Sequence, residues 1–315
     1  MSTFIGIDGG GTKTSAVAAD ERGTVLGQVT AGPTNPNGDD IERIRTVFHT
    51  IKQQLTPFVS DWEDAVVFAG IAGVIHPVIH RKVSACLREV FSGVARLDLD
   101  HDGMNALAAV TYGDPGVVQI AGTGSLTFGL GKQGKRCRIG GWGYLIGDEG
   151  SGFDLGRRAL IRVMKAYDGR GPATGLTELA LRKWDLDNPE DLVPHVYNDA
   201  FKKTISSFSY ELFQAAENGD AVARDVIDEA AEELAESIHT AIRTVDLAEE
   251  HALVGLTGGA FQLPLIHALE QSISERIPQP PRLVRSQVEP VIGSLAWAYT
   301  CSGLDPRRLL NHNHQ

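Results

Sequence analysis

Asp8-Gly9-Gly10-Gly11-Thr12-Lys13-Thr14 is the stretch of sequence that most constrains the fold. The run before it, residues 3–8, is apolar enough for a buried strand, and residues 14–20 have the composition of a second strand. Glycines let a backbone approach an anion closely and leave successive N–H groups free to point at it. The stretch therefore predicts a strand–turn–strand unit in which residues 10–13 bind a phosphate. Asp8 would lie at the strand end, where it can hold Mg²⁺.

Two better-known phosphate-binding motifs do not fit this turn. A Walker loop requires Gly-Lys-Ser/Thr at a fixed spacing, and a dinucleotide-binding fingerprint requires a helix after its glycines, whereas a strand pattern follows here. The remaining alternative is an ordinary β-hairpin turn. Three consecutive glycines beside an aspartate are more than a hairpin needs, which favours a phosphate site.

The same pattern recurs in the second half of the chain. After a turn at residues 113–116, a strand pattern at residues 117–121 leads into Gly122-Thr123-Gly124-Ser125, and another strand pattern follows at residues 126–130. Two such units are what an ancient duplication would leave. We therefore predict two α/β domains of similar core with a cleft between them.

A third glycine pair, Gly258-Gly259, lies between a strand pattern at residues 252–256 and a helix pattern at residues 261–277. Glycine amides beside a helix N-terminus suit an adenosine and its phosphates, because both present N–H groups to an anion. Taken alone, the pair could equally be a tight connection between a strand and a helix.

Apolar residues at helical spacing predict the helices. One is expected at residues 41–55, with Asp39 or Asp40 as its N-cap. Another is expected at residues 103–112, where Asp102 could be the N-cap, which the sequence alone favours, a functional carboxylate at the end of a strand, or both. Further helices are predicted at residues 77–91, 221–245 and 290–301.

Length, charge and cysteine content exclude several classes of protein. A chain of 315 residues suits two domains, and its net charge of -11 without a Lys/Arg run disfavours nucleic acid as a partner. Three widely spaced cysteines exclude a disulfide scaffold and suit a reducing compartment. The sequence shows neither a signal-peptide pattern nor an apolar run of membrane-spanning length, so we expect a cytoplasmic protein without a membrane partner.

Together the three glycine segments resemble the superfamily of sugar kinases, heat-shock ATPases and actin. Within it, Gly140-Gly141-Trp142-Gly143 followed by Gly147-Asp148-Glu149-Gly150-Ser151 is similar to the N-acetylglucosamine kinases of the BadF/BadG/BcrA/BcrD ATPase family. The resemblance implies two ribonuclease H-like (actin-like ATPase) domains with a nucleotide and sugar cleft between them. Residues 1–114 would form the N-terminal domain, with a helix at residues 290–303 packing back on it. Residues 115–289 would form the C-terminal, nucleotide-binding domain.

The resemblance also implies roles for individual residues. Asp102 falls at the position of the catalytic base, although Gly103 follows it where the family usually has alanine. Ala72 stands where the similar mammalian kinase offers a serine to the sugar. The implied sugar contacts are Asn35, Gly141, Trp142 and Asp148, and the implied nucleotide contacts are Gly10, Gly11, Thr12, Lys13, Thr123, Gly124, Gly258 and Gly259.

Several of these residues also have a plainer interpretation. Trp142 could belong to the core, and Asp148 could be a solvated charge at the start of a helix. His76 and His80 have the spacing of a metal-binding pair. Because no third ligand is evident, surface histidines are the favoured interpretation.

We therefore expect transfer of the ATP γ-phosphoryl group to the 6-hydroxyl of an N-acetylhexosamine, with N-acetylglucosamine as the first choice and Mg²⁺ as cofactor. Glucosamine, N-acetylmuramic acid and glucose are alternative acceptors. An ATP-driven switch that activates a partner enzyme is weaker, because the cysteines lack a cluster-ligating pair. A sugar-sensing regulator is also weaker, because it would need a DNA-binding segment ahead of the first strand, and Phe4 begins that strand almost at the start of the sequence. The oligomeric state is left open, with a homodimer as one option.

Overall fold

The computed structural model of the chain describes residues 2–37 and 40–312. They divide into two compact units: unit 1 contains the residues up to Pro115 and those from Arg285 onward, and unit 2 comprises Gly116–Val284. The strands are β1 (Phe4–Gly9), β2 (Thr14–Ala19), β3 (Val25–Ala31), β4 (Val66–Ile71), β5 (Arg96–His101), β6 (Gly116–Ala121), β7 (Ser125–Leu130), β8 (Arg136–Ile139), β9 (Leu253–Thr257) and β10 (Arg282–Arg285). The helices are α1 (Ile41–Leu55), α2 (Pro77–Val90), α3 (Asp102–Thr111), α4 (Gly152–Tyr167), α5 (Leu176–Trp184), α6 (Leu192–Val196), α7 (Phe201–Ser207), α8 (Ser209–Glu217), α9 (Ala221–Thr244), α10 (Leu263–Arg276) and α11 (Pro290–Cys301).

The two units contain sheets of the same design. The sheet of unit 1 has the order β3-β2-β1-β4-β5, and that of unit 2 has the corresponding order β8-β7-β6-β9-β10. β1 is antiparallel to β2 and parallel to β4, and β6 pairs in the same senses with β7 and β9. The prediction of an α/β chain with a repeated strand–turn–strand unit is confirmed.

The core of unit 1 forms between its sheet and two helices. Ile5 and Ile7 of β1 lie on one face of the sheet and are buried in this core, whereas Phe4 lies on the opposite face and is buried there. Helix α1 begins at Ile41, and Asp40 precedes it as the N-cap residue without a side-chain capping hydrogen bond. The other predicted cap, Asp39, lies outside the described residues. The apolar face of α1 follows the helical period through Ile44, Val47, Phe48, Ile51 and Leu55.

Helix α11 packs tightly against the sheet of unit 1. A Cβ on Gly6 of β1 would lie 2.3 Å from the Leu295 amide nitrogen, so only a glycine allows this approach. The rings of Phe4 and Tyr299 stack with their centroids 4.4 Å apart. These contacts bring the last helix of the chain into the first unit.

Unit 2 is organised around the long helix α9. Its buried face repeats every four residues through Val226, Ala230, Leu234 and Ile238, all of them nearly or fully inaccessible. The opposite face carries acidic residues, one of which, Glu229, pairs with Arg162 of α4. The predicted amphipathic helix is confirmed here.

Some element boundaries differ from the prediction. Helix α3 begins at Asp102, one residue early, and α10 begins at Leu263, two residues late, directly before a proline in its first turn. Strand β8 was not predicted, because four residues after a turn give too short a pattern.

Among the described residues, no helix is long and apolar enough to cross a membrane.

Candidate functional site

The carboxyl edge of the unit 1 sheet brings two aspartates to one place. β1, β4 and β5 run parallel, so their carboxyl ends share an edge. In register, Asp8 lies beside Gly70, and Gly70 lies beside Asp100. Asp102 follows two residues after Asp100, at the start of α3. Ligands of open α/β sheets bind at this edge.

Asn105 ties this edge together. It is fully buried on α3, and its Nδ2 donates hydrogen bonds to Asp8 Oδ1 at 2.7 Å and to the Gly70 carbonyl at 3.0 Å. A Cβ on Gly70 would lie 2.1 Å from Asn105 Oδ1, so the glycine is required to admit this side chain. Asn105 was not predicted as a site residue, although its position one helical turn after Asp102 was an available signal.

The environment of Asp8 disfavours its charged form. Burial is the largest cause and raises the pKa of Asp8 from 3.8 to about 6. The hydrogen bond from Asn105 lowers this pKa, as does the positive charge of Lys13. The negative charges of Asp102 and Glu289 raise it. A carboxylate that is costly to ionise and lies beside a second carboxylate is a natural place for a cation.

Asp102 is not the N-cap of its helix. The cap of α3 is His101, whose Nδ1 accepts a hydrogen bond from the Gly103 N–H at 3.1 Å. The interpretation of Asp102 as a capping residue is therefore wrong. Its Oδ1 lies 3.0 Å from His101 Nδ1, an ion pair only when the imidazole is protonated. Asp102 Oδ1 is buried without a hydrogen-bond partner, and the side chain remains 31% exposed.

The first glycine turn has a closed base and an exposed tip. At its base, the Gly10 N–H donates to the Lys13 carbonyl at 3.0 Å, and the Gly10 carbonyl accepts from the Thr34 N–H at 3.1 Å. Gly11, Thr12 and Lys13 are exposed at the tip. The turn can therefore present its tip to a ligand without rearranging its base.

Asn35 lies against this turn. A Cβ on Gly73 would be 2.6 Å from Asn35 Oδ1, and one on Gly11 would be 3.8 Å from Asn35 Nδ2. Ala72, which precedes Gly73, donates its N–H to the Gly9 carbonyl at 2.8 Å. Unit 1 thus collects Asn35, the glycine turn and the two aspartates around the same strand ends.

In unit 2 the second glycine turn is held against the segment that precedes α4. The Gly122 carbonyl accepts from the Gly152 N–H at 2.7 Å, and Ser125 Oγ donates to the Glu149 carbonyl at 2.6 Å. A Cβ on Gly124 would lie 2.9 Å from Asp148 Oδ2. The predicted phosphate turn and the predicted sugar-binding carboxylate are therefore neighbours, and Thr123 is exposed at the tip of the turn.

Asp148 belongs to a shaped loop. Helix α4 is capped by Ser151, so the interpretation of Asp148 as a charge at the helix start is wrong. Its φ of 61° places it in the left-handed region, which non-glycine residues rarely adopt. Burial raises the pKa of Asp148, and backbone hydrogen bonds from Ser125 and Gly143 oppose that rise.

Trp142 is a surface residue. The residue is 62% exposed, so the interpretation as core is wrong. The guanidinium carbon of Arg138 lies 4.5 Å from the centroid of its ring. Gly140, Gly141 and Gly143 around it have φ values of 70°, 69° and 90°, which explains the glycines on both sides.

The third glycine pair is packed beside the second turn. Gly258 has a φ of 113°, and a Cβ on it would lie 2.2 Å from the Ala121 carbonyl oxygen. The same carbonyl accepts a hydrogen bond from the Ala260 N–H at 3.0 Å. A Cβ on Gly259 would meet nothing within 4 Å, so Gly259 borders open space.

The two histidines suggested as a metal-binding pair, His76 and His80, have structural contacts instead, and neither contact involves the site residues described above. His76 caps α2 through its Nδ1, which accepts from the Val78 N–H at 3.3 Å. His80 Nε2 lies 3.3 Å from the Leu99 carbonyl oxygen. Within residues 2–37 and 40–312, no group of three His, Cys, Asp or Glu side chains could hold a metal ion.

Comparisons with known proteins cover almost the whole chain. The model of the BadF/BadG/BcrA/BcrD ATPase family matches residues 5–298. An N-acetyl-D-glucosamine kinase of Dictyostelium discoideum is 32% identical over 308 residues, covering 92% of this chain and 96% of the relative. An N-acetylmuramic acid/N-acetylglucosamine kinase of Clostridium acetobutylicum is 31% identical, covering 83% and 86%. A solved structure from Chromobacterium violaceum, provisionally named an N-acetylglucosamine kinase, has a TM-score of 0.70 and 26% identity, covering 94% and 98%.

Proposed function

Since the chain belongs to the BadF/BadG/BcrA/BcrD ATPase family, we propose that it is a sugar kinase that transfers the γ-phosphoryl group of ATP to the 6-hydroxyl of N-acetylglucosamine. The family resemblance inferred from the glycine segments is confirmed. Two relatives named as kinases of N-acetylglucosamine match at 32% and 31% identity over most of their length, which supports an amino sugar as acceptor. The description of the family as ATPases supports ATP as donor.

The state of Asp102 is the observation that carries the mechanism. Because His101 takes the capping role, the Asp102 carboxylate is left without a hydrogen-bond partner on Oδ1. A sugar hydroxyl is a poor nucleophile, and a carboxylate beside it can take its proton as the new O–P bond forms and ADP leaves. Such general-base help is worth roughly 10²–10⁴ in rate.

The residues around Asp8 fit a magnesium ion. Mg²⁺ is usually held by one or two carboxylates together with substrate phosphates and water, so a complete protein cage is not required. Asp8 would hold it, because a cation would offset the burial that raises the pKa of this carboxyl to about 6. When bound, Mg²⁺ neutralises charge on the phosphates of the nucleotide.

The other site residues are assigned to binding. We assign residues 10–13 and the Gly122–Ser125 turn to the ATP phosphates, because exposed glycine-rich tips present N–H groups to anions. Gly258 and Gly259 are assigned to the adenosine. Asn35 and the loop that contains Gly141, Trp142 and Asp148 are assigned to the sugar: carboxylate and amide groups suit its hydroxyls, and an exposed indole suits its C–H faces.

The test is the Asp102→Asn variant, assayed with N-acetylglucosamine and MgATP. We expect sugar binding to persist and kcat to fall at least about a hundredfold, because the amide cannot accept the proton. Asp98→Asn is the matched control. Asp98 lies on β5 and forms an exposed ion pair with Arg96 at 2.6 Å, so the loss of its charge should leave kcat unchanged. Near-normal turnover in Asp102→Asn would remove Asp102 from the role of base.

A further inference from the structure

Arg138 of β8 makes two contacts with the loop that carries Trp142. Its guanidinium lies over the indole ring, with the guanidinium carbon 4.5 Å from the ring centroid. Its Nη2 donates a hydrogen bond to the Gly141 carbonyl. The first contact fixes the ring and the second fixes the backbone directly before it, so a single side chain restrains both.

The loop itself offers little other restraint on the indole. Trp142 is flanked by Gly141 and Gly143, both at positive φ, and the Gly143 carbonyl accepts a hydrogen bond from the Ile146 N–H at 3.2 Å, a contact that holds the backbone and not the ring. Trp142 as a whole is 62% exposed, so core packing does not hold it. Gly147 closes the loop, since a Cβ there would lie 3.0 Å from the Trp142 Cβ, but this contact is with the backbone end of the side chain.

Arg138 also acts on the carboxylate at the end of the same loop. Its positive charge lowers the pKa of Asp148, against the effects of burial and of Glu149, which raise it. Asp148 Oδ2 in turn lies against Gly124 of the second glycine turn. Arg138 is therefore in electrostatic contact with both side chains that the proposed function assigns to the sugar in unit 2.

We propose that Arg138 is a positioning residue for the acceptor sugar: it holds the indole of Trp142 with one face covered and the other face open to the pyranose ring. The inference rests on the proposed function. Arginine suits this role better than lysine, because its planar guanidinium can stack on an aromatic face while its N–H groups donate hydrogen bonds in the plane of the guanidinium. Arg138 could not be predicted as a site residue, because it lies on a strand too short to be recognised in the sequence.

The kinetic test compares Arg138→Ala, Arg138→Lys and Arg136→Ala, the last being a control on the same strand. We expect Arg138→Ala to raise the KM for N-acetylglucosamine about 3- to 30-fold, the range that cation–π stacking supports, with kcat and the KM for ATP nearly unchanged. Arg138→Lys should recover only part of this loss, and Arg136→Ala should behave as wild type. In a Trp142→Ala background, Arg138→Ala should add little, because the two residues act as one unit.

A readout without substrate separates this inference from the proposed function. Acrylamide quenching of Trp142 fluorescence, taken as the difference between each variant and the same variant carrying Trp142→Phe, should increase in Arg138→Ala. An unchanged difference would overturn the inference, whatever sugar the protein uses. A fall in kcat in Arg138→Ala that is equal for every sugar acceptor would also overturn it. So would effects of Arg138→Ala and Trp142→Ala on KM that simply add in the double variant. If Arg138→Ala does not fold, Arg138→Lys keeps the charge and still tests the planar contact.

Discussion

Replacing Asp8 by asparagine should make the protein more stable at neutral pH. Asparagine has nearly the same shape, and its Oδ1 can still accept the 2.7 Å hydrogen bond that Asn105 donates. What the change removes is a negative charge in a site that disfavours it, because Asp8 is mostly buried and lies near Asp102. A residue kept for a reaction in spite of its cost to folding is expected to show this behaviour.

The magnitude follows from the shift of the pKa. The pKa of Asp8 rises from 3.8 to about 6 on folding, so the native state binds this proton more tightly than the unfolded chain does. The stabilisation from protonation is complete below the unfolded value and is lost as the pH rises through about 6. At pH 8 the ionised group therefore costs about 3 kcal/mol relative to a neutral side chain, at ~1.36 kcal/mol per unit. The same relation gives about half of this cost at pH 5 and little near pH 4.

The assay is urea unfolding of wild type and Asp8→Asn in EDTA at several pH values between about 4 and 8. The variant should gain roughly 2–3 kcal/mol in the free energy of unfolding at pH 8, and the gain should shrink steadily toward pH 4. Asp98→Asn, in which an exposed pair with Arg96 is lost, should change little at any pH. A variant as stable as wild type at pH 8, or a gain that is the same at every pH, would refute the reasoning.

Three further predictions concern the binding residues. Asp148→Asn should raise the KM for the sugar. Because the pKa of Asp148 is raised, the wild-type KM should begin to rise on acidification at a higher pH than it would if this aspartate were exposed. The same pH dependence of KM in variant and wild type would contradict this. In urea unfolding, Gly258→Ala should lower the free energy of unfolding by about 1–3 kcal/mol, because a φ of 113° is strained for alanine and the added Cβ would strike the Ala121 carbonyl. Gly259→Ala should be tolerated in the same titration, because a Cβ there meets nothing within 4 Å. In a coupled ADP-release assay, kcat/KM should be highest for N-acetylglucosamine among N-acetylglucosamine, glucosamine, N-acetylmuramic acid and glucose; a preference for glucose would contradict the amino-sugar assignment.

The repeated sheet could be predicted from the sequence because its signal is local. A buried strand, a glycine turn and a second strand lie within about twenty residues at each site, and the hairpin that they form is the centre of each five-stranded sheet. The position of Asp8 follows directly, since it is the last polar residue before the turn. Local patterns of this kind survive because strand and turn propensities agree with the final fold.

The partners of the site residues could not be predicted in the same way. Asn105 and Arg138 look like ordinary polar residues of a helix and a short strand. Their roles depend on contacts with residues distant in the sequence or on the course of a loop, such as the 2.7 Å hydrogen bond from Asn105 to Asp8. The cap of α3 is a further example: because the helix start was predicted one residue late, Asp102 was offered the capping role that His101 takes in the structure.

The glycines of this chain have a second use besides forming turns. Gly70 makes room for Asn105, Gly73 for Asn35 and Gly124 for Asp148: in each case a Cβ would lie 2.9 Å or less from a polar side-chain atom. Gly70 lies in strand β4, where an ordinary strand residue would be expected, and Gly124 is without a positive φ, so backbone conformation does not explain either of them. A glycine beside a functional side chain lets that side chain lie flat against the backbone and restricts its rotamers. The unusual number of glycines is therefore explained in part by the need to hold polar side chains in place. An alanine at Gly70 or Gly124 should impair the site by displacing the neighbouring polar side chain, without requiring a strained backbone conformation.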